Sequence, residues 1–317
     1  MNKSIDIEPN EFVRLMNNFY ISKNIPVPFE RIALDSHLVQ YFNEHAKDVK
    51  KKFKVALCCI CLNEPYWEFA KPMIQGAKQF FLPGHDVDIL FWSDMKEQID
   101  GATIIPSEPA QWPLPTLFRY SLFLQEEERL KDYDYVFYCD IDMQFVNVVG
   151  DEILSEGLTA AEHPMYALRK QYWPPYEPNP NSAAYIKRPG IIIDDNGQPR
   201  FKPLYFAGGF QGGKATDWLE AMREMRKMIE KDFNLNYIPI WNDETVWNAY
   251  LFQNSNKLGK ILTPSYIYPD SLIKEYYEPL WGTSYQPRLV TLTKKFTTTK
   301  EGGQAVAQML QETKGLQ

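Results

Sequence analysis

The spacing of hydrophobic residues along the 317-residue chain changes near residue 53. Beyond that point short apolar runs, which predict strands, alternate with longer amphipathic stretches, which predict helices. The strands are expected at VALCCI (55–60), DILFW (88–92) and YVFYC (135–139), and the helices at 66–81 and 116–130. This alternation predicts an α/β organisation with a largely parallel sheet.

The alternation of strand-like and helix-like segments is less regular at the two ends and in the second half of the chain. Apolar residues at helical spacing predict a separate helical extension over residues 1–50, and a polar, glycine-bearing composition predicts a mobile tail over 294–317. The proline-rich segment WPPYEPNPN (173–181) predicts a long loop. Further helices are expected over 216–231 and from about residue 242.

Composition and charge narrow the class of protein. With 44% hydrophobic residues, no apolar run as long as a membrane span and no signal-peptide core at the start, we expect a globular cytoplasmic protein. The net charge of -7 argues against a nucleic-acid partner, which would need a basic stripe. The four cysteines crowd apolar runs and are expected to be buried, reduced thiols: Cys58, Cys59, Cys61 and Cys139.

The pattern D-x-D occurs three times, and context distinguishes the copies. The pairs at 86/88 and 132/134 lie in turn-like sequence at the entrance of strands, where carboxylates are ordinary solvated residues. Asp140 and Asp142 instead follow a buried strand, and ligands of open parallel sheets bind beyond the carboxyl ends of strands. Residues i and i+2 of an extended chain point to the same side, so this pair either holds a divalent cation or forms a strand-end turn.

Two further segments carry candidate chemistry. AGGFQGGKAT (207–216) nearly spells a P-loop of a nucleotide triphosphatase, but Ala215 stands where a serine or threonine is needed, so a glycine turn that permits close backbone approach is favoured. IWNDETVW (240–247) fits an ordinary helix start, with Asn242 or Asp243 as the cap and Glu244 in the first turn.

These segments, taken together and in order, resemble glycosyltransferase family 6, the family of the blood-group A and B enzymes and the α1,3-galactosyltransferases. The similarity runs from about Lys54 to about Val306. It rests on YVFYCDIDMQFVNVVGDEIL for the D-x-D strand, FAGGFQGGK for the glycine-rich donor segment and WNDET for the family's W-H-D-E-S/T. The resemblance identifies the chain as a soluble bacterial or viral member.

The resemblance implies a GT-A fold, with a mixed, mostly parallel central sheet flanked by helices and an N-terminal helical extension before it. The catalytic domain would span residues 51–293, with a donor half over about 51–150 and an acceptor half over about 151–293. Lid closure over UDP by lysines of the tail at 294–317 is a further expectation.

The resemblance also assigns roles to individual residues. Asp140 and Asp142 would hold Mn²⁺, or Mg²⁺, against the diphosphate of a UDP-sugar, and Glu244 would act beneath the anomeric carbon as nucleophile or as stabiliser of the transition state. His163 and Trp241 would contact the acceptor. The remaining donor-binding positions would be Cys61, Asn63, Tyr66, Arg119, Ala207, Gly208, Gly209 and Asp243.

The expected function is a retaining, metal-dependent transfer of GalNAc or Gal from a UDP-sugar, in α1,3 linkage, to a β-galactoside-terminated oligosaccharide. Glycine at the third position of the triplet 207–209 favours UDP-GalNAc over UDP-Gal. The chain departs from the family at Asn242, which replaces the usual histidine, and at Ala207, which replaces a larger residue. The alternatives are a non-catalytic sugar or UDP-sugar binding module and a P-loop-like nucleotide triphosphatase.

Overall fold

A computed structural model of the protein describes residues 52–167, 174–187, 191–193, 199–201, 204–270 and 285–292. The helical extension predicted over 1–50 and the tail predicted over 294–317 lie outside these residues. Within them the chain alternates between strands and helices as its hydrophobic pattern predicts.

The strands and helices are numbered in chain order. The strands are β1 Lys54–Cys61, β2 Asp86–Ser93, β3 Thr103–Pro106, β4 Tyr135–Cys139, β5 Met143–Phe145, β6 Leu158–Glu162, β7 Ile191–Ile193, β8 Pro199–Phe201, β9 Phe206–Lys214, β10 Leu258–Leu262, β11 Tyr268–Pro269 and β12 Leu289–Thr291. The helices are α1 Glu64–Phe80, α2 Leu114–Leu117, α3 Arg119–Gln125, α4 Glu127–Leu130, α5 Ala215–Asn234 and α6 Asn242–Gln253.

A seven-stranded sheet in the order β10-β6-β9-β4-β1-β2-β3 forms the centre of the fold. Six of its strands run in the same direction, and β9 is antiparallel to both of its neighbours, β4 and β6. A smaller sheet, β11-β12-β5, continues directly from the end of β4. The predicted mixed, mostly parallel sheet is confirmed.

The two faces of the central sheet are covered by different elements, because side chains of successive strand residues point to opposite faces. From β1, Ala56, Cys58 and Ile60 pack into a cluster with residues of α3, α5 and α6. The alternate residues of β1 pack into a second cluster with α1 and β5. All four cysteines are buried and unpaired, as predicted, and burial raises the pKa of each thiol.

Two elements differ from their predictions. The glycine-rich segment is a central strand, β9, rather than a turn: Gly212 lies opposite Phe137 of β4, and a Cβ on Gly212 would stand 2.3 Å from the Phe137 ring. The helix predicted over 116–130 is divided into α2, α3 and α4, because the backbone at Phe118 and Glu126 leaves helical geometry. The first division, at Phe118, places Arg119 at the first residue of α3.

No P-loop forms, because Gly208–Lys214 is strand rather than loop. Lys214 lies opposite Tyr135, at the amino end of β4, so it is at the far edge of the sheet from Asp140. Among the described residues, no helix combines the length and the apolar character that crossing a bilayer requires.

Candidate active site

A pocket of about 560 Å³ opens at the carboxyl end of β1 and β4. It lies where the first residues of β9 and the start of α6 meet the loop that carries α2. Most of the predicted site residues line it: Asn63, Tyr66, Arg119, Asp140, Asp142, Gly208, Gly209, Trp241, Asp243 and Glu244. The topology therefore brings together segments that are more than a hundred residues apart in the chain.

Asp140 and Asp142 stand at the end of β4, where the chain leaves the central sheet for β5. The Asp140 amide donates to the Gly209 carbonyl oxygen at 2.8 Å, which continues the β4–β9 pairing by one residue. Oδ1 of Asp140 accepts a short hydrogen bond from the Tyr138 hydroxyl, and Asp142 is only 6% exposed. The setting is thus a partly buried carboxylate pair at a sheet edge.

Arg119 links the D-x-D pair to the start of α6. Its Nη2 lies 3.3 Å from Oδ1 of Asp140, and its Nη1 lies 2.8 Å from Oδ2 of Asp243 and 3.2 Å from the Gly208 carbonyl oxygen. The guanidinium also stacks on the Tyr138 ring, with Cζ 4.3 Å from the ring centroid. Burial alone lowers the pKa of Arg119, but Asp243 and Asp140 raise it above its ordinary value, so the side chain is a buried, permanent cation.

The start of α6 does not use its acidic residues as a helix cap. The N-cap is Trp241, which makes no side-chain capping bond, and Asp243 and Glu244 both turn into the pocket instead. The Glu244 carboxylate accepts the Gly208 amide hydrogen at 2.9 Å, and the Tyr120 hydroxyl holds the Asp243 carbonyl oxygen at 3.0 Å. Helix capping therefore does not account for these two carboxylates.

Burial makes both carboxyl groups at the start of α6, Asp243 and Glu244, weaker acids than usual. Burial raises the pKa of Glu244 to about 7, and the Gly208 amide and the neighbouring Tyr205 hydroxyl oppose this increase. The pKa of Asp243 is also raised to about 7, by burial, although Arg119 opposes the increase. The Tyr205 hydroxyl is buried and faces Glu244 without the geometry of a complete hydrogen bond. A pair of carboxylates with raised pKa in a cleft is typical of catalytic sites.

Gly208 and Gly209 are needed because the carboxylates approach the backbone of β9 closely. A Cβ on Gly208 would stand 3.1 Å from Oδ2 of Asp243, and a Cβ on Gly209 would stand 2.8 Å from Oδ2 of Asp140. The two glycines therefore provide the space that the acidic side chains occupy.

The opposite wall of the pocket follows β1. Asn63 has φ 76°, and its amide donates to the Asp94 carboxylate at 3.0 Å while its side chain donates to the Ala110 carbonyl oxygen at 2.6 Å. Asp94 also accepts from Nε1 of Trp67 at 3.0 Å. These bonds fix the turn that carries Tyr66 to the pocket wall, where its ring is partly exposed.

Three predicted site residues do not line this pocket. Cys61 is fully buried in the cluster beneath α1, whereas its neighbour Ile60 reaches the pocket. Ala207 is 3% exposed, and His163 lies against the rings of Tyr166 and Tyr205. Their assigned contacts with donor or acceptor stay predictions.

The structure adds residues that the sequence analysis missed. The Tyr138 hydroxyl lies beside the Asp140 carboxylate and the Tyr205 hydroxyl beside the Glu244 carboxylate, and Gln111 and Trp112 line the pocket ahead of α2. Strand alternation places Tyr138 on the same face as Asp140, which is the signal that could have identified it. Tyr205 had no comparable local signal, because its partner is 39 residues away in the chain.

The D-x-D pair fits a divalent cation that is shared with a substrate phosphate. Both side chains offer oxygen ligands, the type preferred by Mg²⁺, and Oδ2 of Asp140 faces the space left by Gly209. Within the described part of the chain no group of three metal-ligating side chains occurs. A cation at this pair would take its other ligands from phosphate and water, as Mg²⁺ commonly does at nucleotide sites.

The amino-acid sequence is similar to those of known glycosyltransferases. The chain is 28% identical over 220 residues to histo-blood group ABO system transferase 1 of Rattus norvegicus, covering 66% of this chain and 59% of that protein. It is 28% identical over 217 residues to globoside alpha-1,3-N-acetylgalactosaminyltransferase 1 of Homo sapiens, covering 65% and 58%. It is also 27% identical over 168 residues to the O-antigen biosynthesis glycosyltransferase WbnI of Escherichia coli, covering 53% and 66%.

The match therefore spans less than three fifths of the length of the human and rat relatives. The family profile described as Glycosyltransferase family 6 matches residues 121–277, the region that contains the D-x-D pair, β9 and the start of α6. On these matches residues 121–277 are similar to glycosyltransferase family 6, and about two thirds of the chain is similar to the rat and human transferases.

Proposed function

We propose that the protein is a retaining, metal-dependent glycosyltransferase that moves GalNAc or Gal from a UDP-sugar to a β-galactoside-terminated acceptor in α1,3 linkage. The observation that carries the proposal is the contact of Arg119 with both Asp140 and Asp243. Through these contacts the carboxylate pair that would hold the cation lies next to the start of α6, where Glu244 follows Asp243.

The donor would lie along the pocket from β1 to α6. The turn at Asn63 presents Tyr66, whose ring offers a stacking surface for the uracil, and the diphosphate would reach the end of β4. A divalent cation held by Asp140 and Asp142 would offset the charge that develops on the departing UDP. Asp243, fixed by Arg119, would accept hydrogen bonds from hydroxyl groups of the donor sugar.

Glu244 would act on the anomeric carbon. Its carboxylate is anchored by the Gly208 amide at 2.9 Å, at the wall of the pocket that Gly208 and Gly209 line. As the bond between the anomeric carbon and UDP breaks, the carboxylate would form a covalent bond to that carbon or stabilise its positive charge. The acceptor oxygen then bonds to the face that UDP left, which releases the Glu244 carboxylate where a covalent bond had formed, and the hydroxyl proton passes to the diphosphate of the departing UDP, so the configuration is retained.

Two observations support the choice of sugar and acceptor. Gly209, the third residue of the triplet 207–209, lines the pocket, and by the resemblance to the family a glycine at this position favours a donor with an N-acetyl group. Trp241 is 53% exposed and lines the pocket beside Glu244, so its ring can stack on an acceptor galactose. The human relative is named as an alpha-1,3-N-acetylgalactosaminyltransferase, in agreement with this choice.

The test is release of UDP from UDP-GalNAc and UDP-Gal with lactose-type acceptors, before and after addition of EDTA. We expect activity in Mn²⁺ that is lost in EDTA and in the variant Asp142→Asn, whereas Lys214→Ala at the far edge of the sheet keeps it. Activity that survives both EDTA and Asp142→Asn would refute the metal assignment. UDP binding without turnover on any acceptor would refute transfer and favour a binding module.

A further inference from the structure

A buried glutamate outside the pocket holds the approach to α6. Glu177 lies in the loop over 174–187 and is 3% exposed. Its Oε1 accepts hydrogen bonds from the Tyr237 hydroxyl at 2.5 Å and from the Asn179 amide at 2.9 Å, and its Oε2 accepts one from the Ile240 amide at 3.0 Å. The carboxylate therefore connects this loop to the segment between α5 and α6.

The three hydrogen bonds from Tyr237, Asn179 and Ile240 satisfy the buried carboxylate of Glu177. No lysine or arginine among the described residues forms an ion pair with Glu177, although leaving a buried carboxylate without partners is strongly unfavourable. Hydrogen bonds to a charged acceptor are stronger than those between neutral groups. These hydrogen bonds hold Glu177 in place, and they also hold the segment between α5 and α6 that donates to it through Tyr237 and Ile240.

The fixed segment leads directly into the reactive residues. Ile240 precedes Trp241 and Asn242, and Asn242 has φ 52°, in the left-handed region that residues with a side chain adopt uncommonly, asparagine more often than most. Such a conformation persists where surrounding contacts impose it. The contacts here are the Glu177 bond to Ile240, the Asn242 amide bond to Pro239 at 2.9 Å and the Trp241 amide bond to the Thr245 hydroxyl at 2.9 Å.

The loop that carries Glu177 is itself anchored. Asp232, near the end of α5, is 1% exposed and accepts the Ser182 hydroxyl at 2.5 Å and the Ala183 amide at 2.6 Å. The loop is therefore attached to α5 through one buried carboxylate and to the approach to α6 through another. Because Asp232 also holds the loop, the loop would stay in place if Ile240 moved away from Glu177.

We propose that Glu177 is a positioning residue for sugar transfer: through the Ile240 amide it sets the Trp241 ring and the first turn of α6, with Asp243 and Glu244, against the pocket. The inference rests on the proposed function, because it assigns Glu177 an effect on acceptor use and on the chemical step. The wall at Asn63 follows β1 and the D-x-D pair follows β4; the D-x-D pair is joined to the first turn of α6 through the contacts of Arg119 with Asp140 and Asp243, and none of the three bonds of Glu177 reaches β1 or β4.

The experiment compares Glu177→Ala and Glu177→Gln with Tyr237→Phe, which removes one donor to Glu177 but leaves the Ile240 bond. Glu156→Gln, an 88% exposed side chain at the far edge of the sheet, is the matched control. We expect Glu177→Ala to lower kcat or raise the acceptor KM about tenfold or more, since small displacements of reacting groups have effects of this size. Glu177→Gln, which keeps one acceptor oxygen, should lie between Glu177→Ala and the wild type, and Tyr237→Phe should stay near the wild type.

Two readouts separate positioning from loss of the fold and from failure of the proposed function. UDP affinity measured by calorimetry should stay within about twofold of the wild type in all variants, because Glu177 bonds to none of the residues that would bind UDP. Hydrogen exchange of the unliganded protein should accelerate at Ile240 and Trp241 in Glu177→Ala, while amides of β1 keep their protection. This exchange measurement stands even if no tested sugar is transferred.

The proposal is overturned if exchange at Ile240 and Trp241 is unchanged in Glu177→Ala. It is also overturned if that variant keeps the wild-type kcat and acceptor KM, or if UDP affinity and transfer fall in parallel. An absence of transfer by the wild-type protein, together with faster exchange at Ile240, would refute the proposed function and leave the positioning role of Glu177 supported.

Discussion

Replacement of Glu244 by glutamine should stabilise the protein at neutral and alkaline pH while it abolishes transfer. The change removes the charge and keeps the shape, and the amide oxygen of glutamine can still accept the Gly208 amide at the position of the present 2.9 Å bond. Burial raises the pKa of Glu244 from its ordinary 4.5 to about 7 in the folded chain. The folded protein therefore binds more protons than the unfolded chain between these two values.

The sign of the pH dependence follows from that difference. Below pH 4.5 Glu244 is protonated in both states and contributes no pH dependence, and between 4.5 and 7 its contribution to the free energy of unfolding falls as pH rises. Above pH 7 the raised pKa of Glu244 lowers the free energy of unfolding by about 3 kcal/mol, because the pKa differs from 4.5 to about 7 between the two states and each pH unit corresponds to about 1.36 kcal/mol. Because the pocket gives solvent some access to the side chain, we expect about 2 kcal/mol.

The assay is thermal unfolding of the wild type and Glu244→Gln at pH 5 and pH 8, in EDTA so that no cation alters the charge at the D-x-D pair. At pH 8 the variant should melt roughly 4 °C above the wild type, and at pH 5 the two should nearly coincide. Glu156→Gln, the exposed control, should show no such difference. Transfer by Glu244→Gln should fall by about a hundredfold or more, with UDP binding retained.

One result would refute the reasoning about Glu244. If the variant and the wild type melt at the same temperature at both pH values, the carboxylate does not carry the desolvation cost that its burial implies. If transfer also stays near normal, Glu244 returns to the role of an ordinary residue in the first turn of a helix.

Three further variants test other parts of the site. Gly209→Ala places a Cβ 2.8 Å from Oδ2 of Asp140, so UDP binding in Mn²⁺ should weaken by about tenfold in calorimetry, and unchanged affinity would contradict the assigned close approach. Tyr205→Phe removes a hydroxyl that lowers the pKa of Glu244, so the pH–rate profile should move to higher pH, and an unmoved profile would exclude that influence. Arg119→Lys cannot reproduce the planar contacts to two carboxylates, so kcat/KM should fall about tenfold or more and the melting temperature should drop, whereas wild-type values would show that the guanidinium is dispensable.

The sequence was informative wherever local pattern decides structure. β1, β2 and β4 were recognised because each is a short apolar run, and the position of Asp140 directly after β4 distinguished the D-x-D pair that lines the pocket from the other two. The start of α6 at Asn242 was predicted correctly as well. In each case a few adjacent residues contain the whole signal.

The remaining features depend on distant residues. β9 was interpreted as a turn because glycines carry no side-chain pattern, and its extended form is imposed by β4 and β6 on its two sides. Nothing in the local sequence distinguishes Glu177 from other acidic residues in loops, because its bond is to the Ile240 amide, 63 residues away in the chain. The division of the predicted helix at Phe118, which turns Arg119 inward, likewise had no local signal.

The place of β9 in the sheet constrains how such a protein can be assembled or recombined. This strand comes from the later half of the chain, yet it lies between β4 and β6 and its first residues complete the pocket at the end of β4. A nascent chain that has emerged only as far as β6 exposes the apolar edge of β4, a site for aggregation until β9 arrives. A chimaera in which two relatives exchange the residues before 150 would combine β4 of one protein with β9 of the other, so an exchange that keeps the native pairing has to carry β9 together with β4.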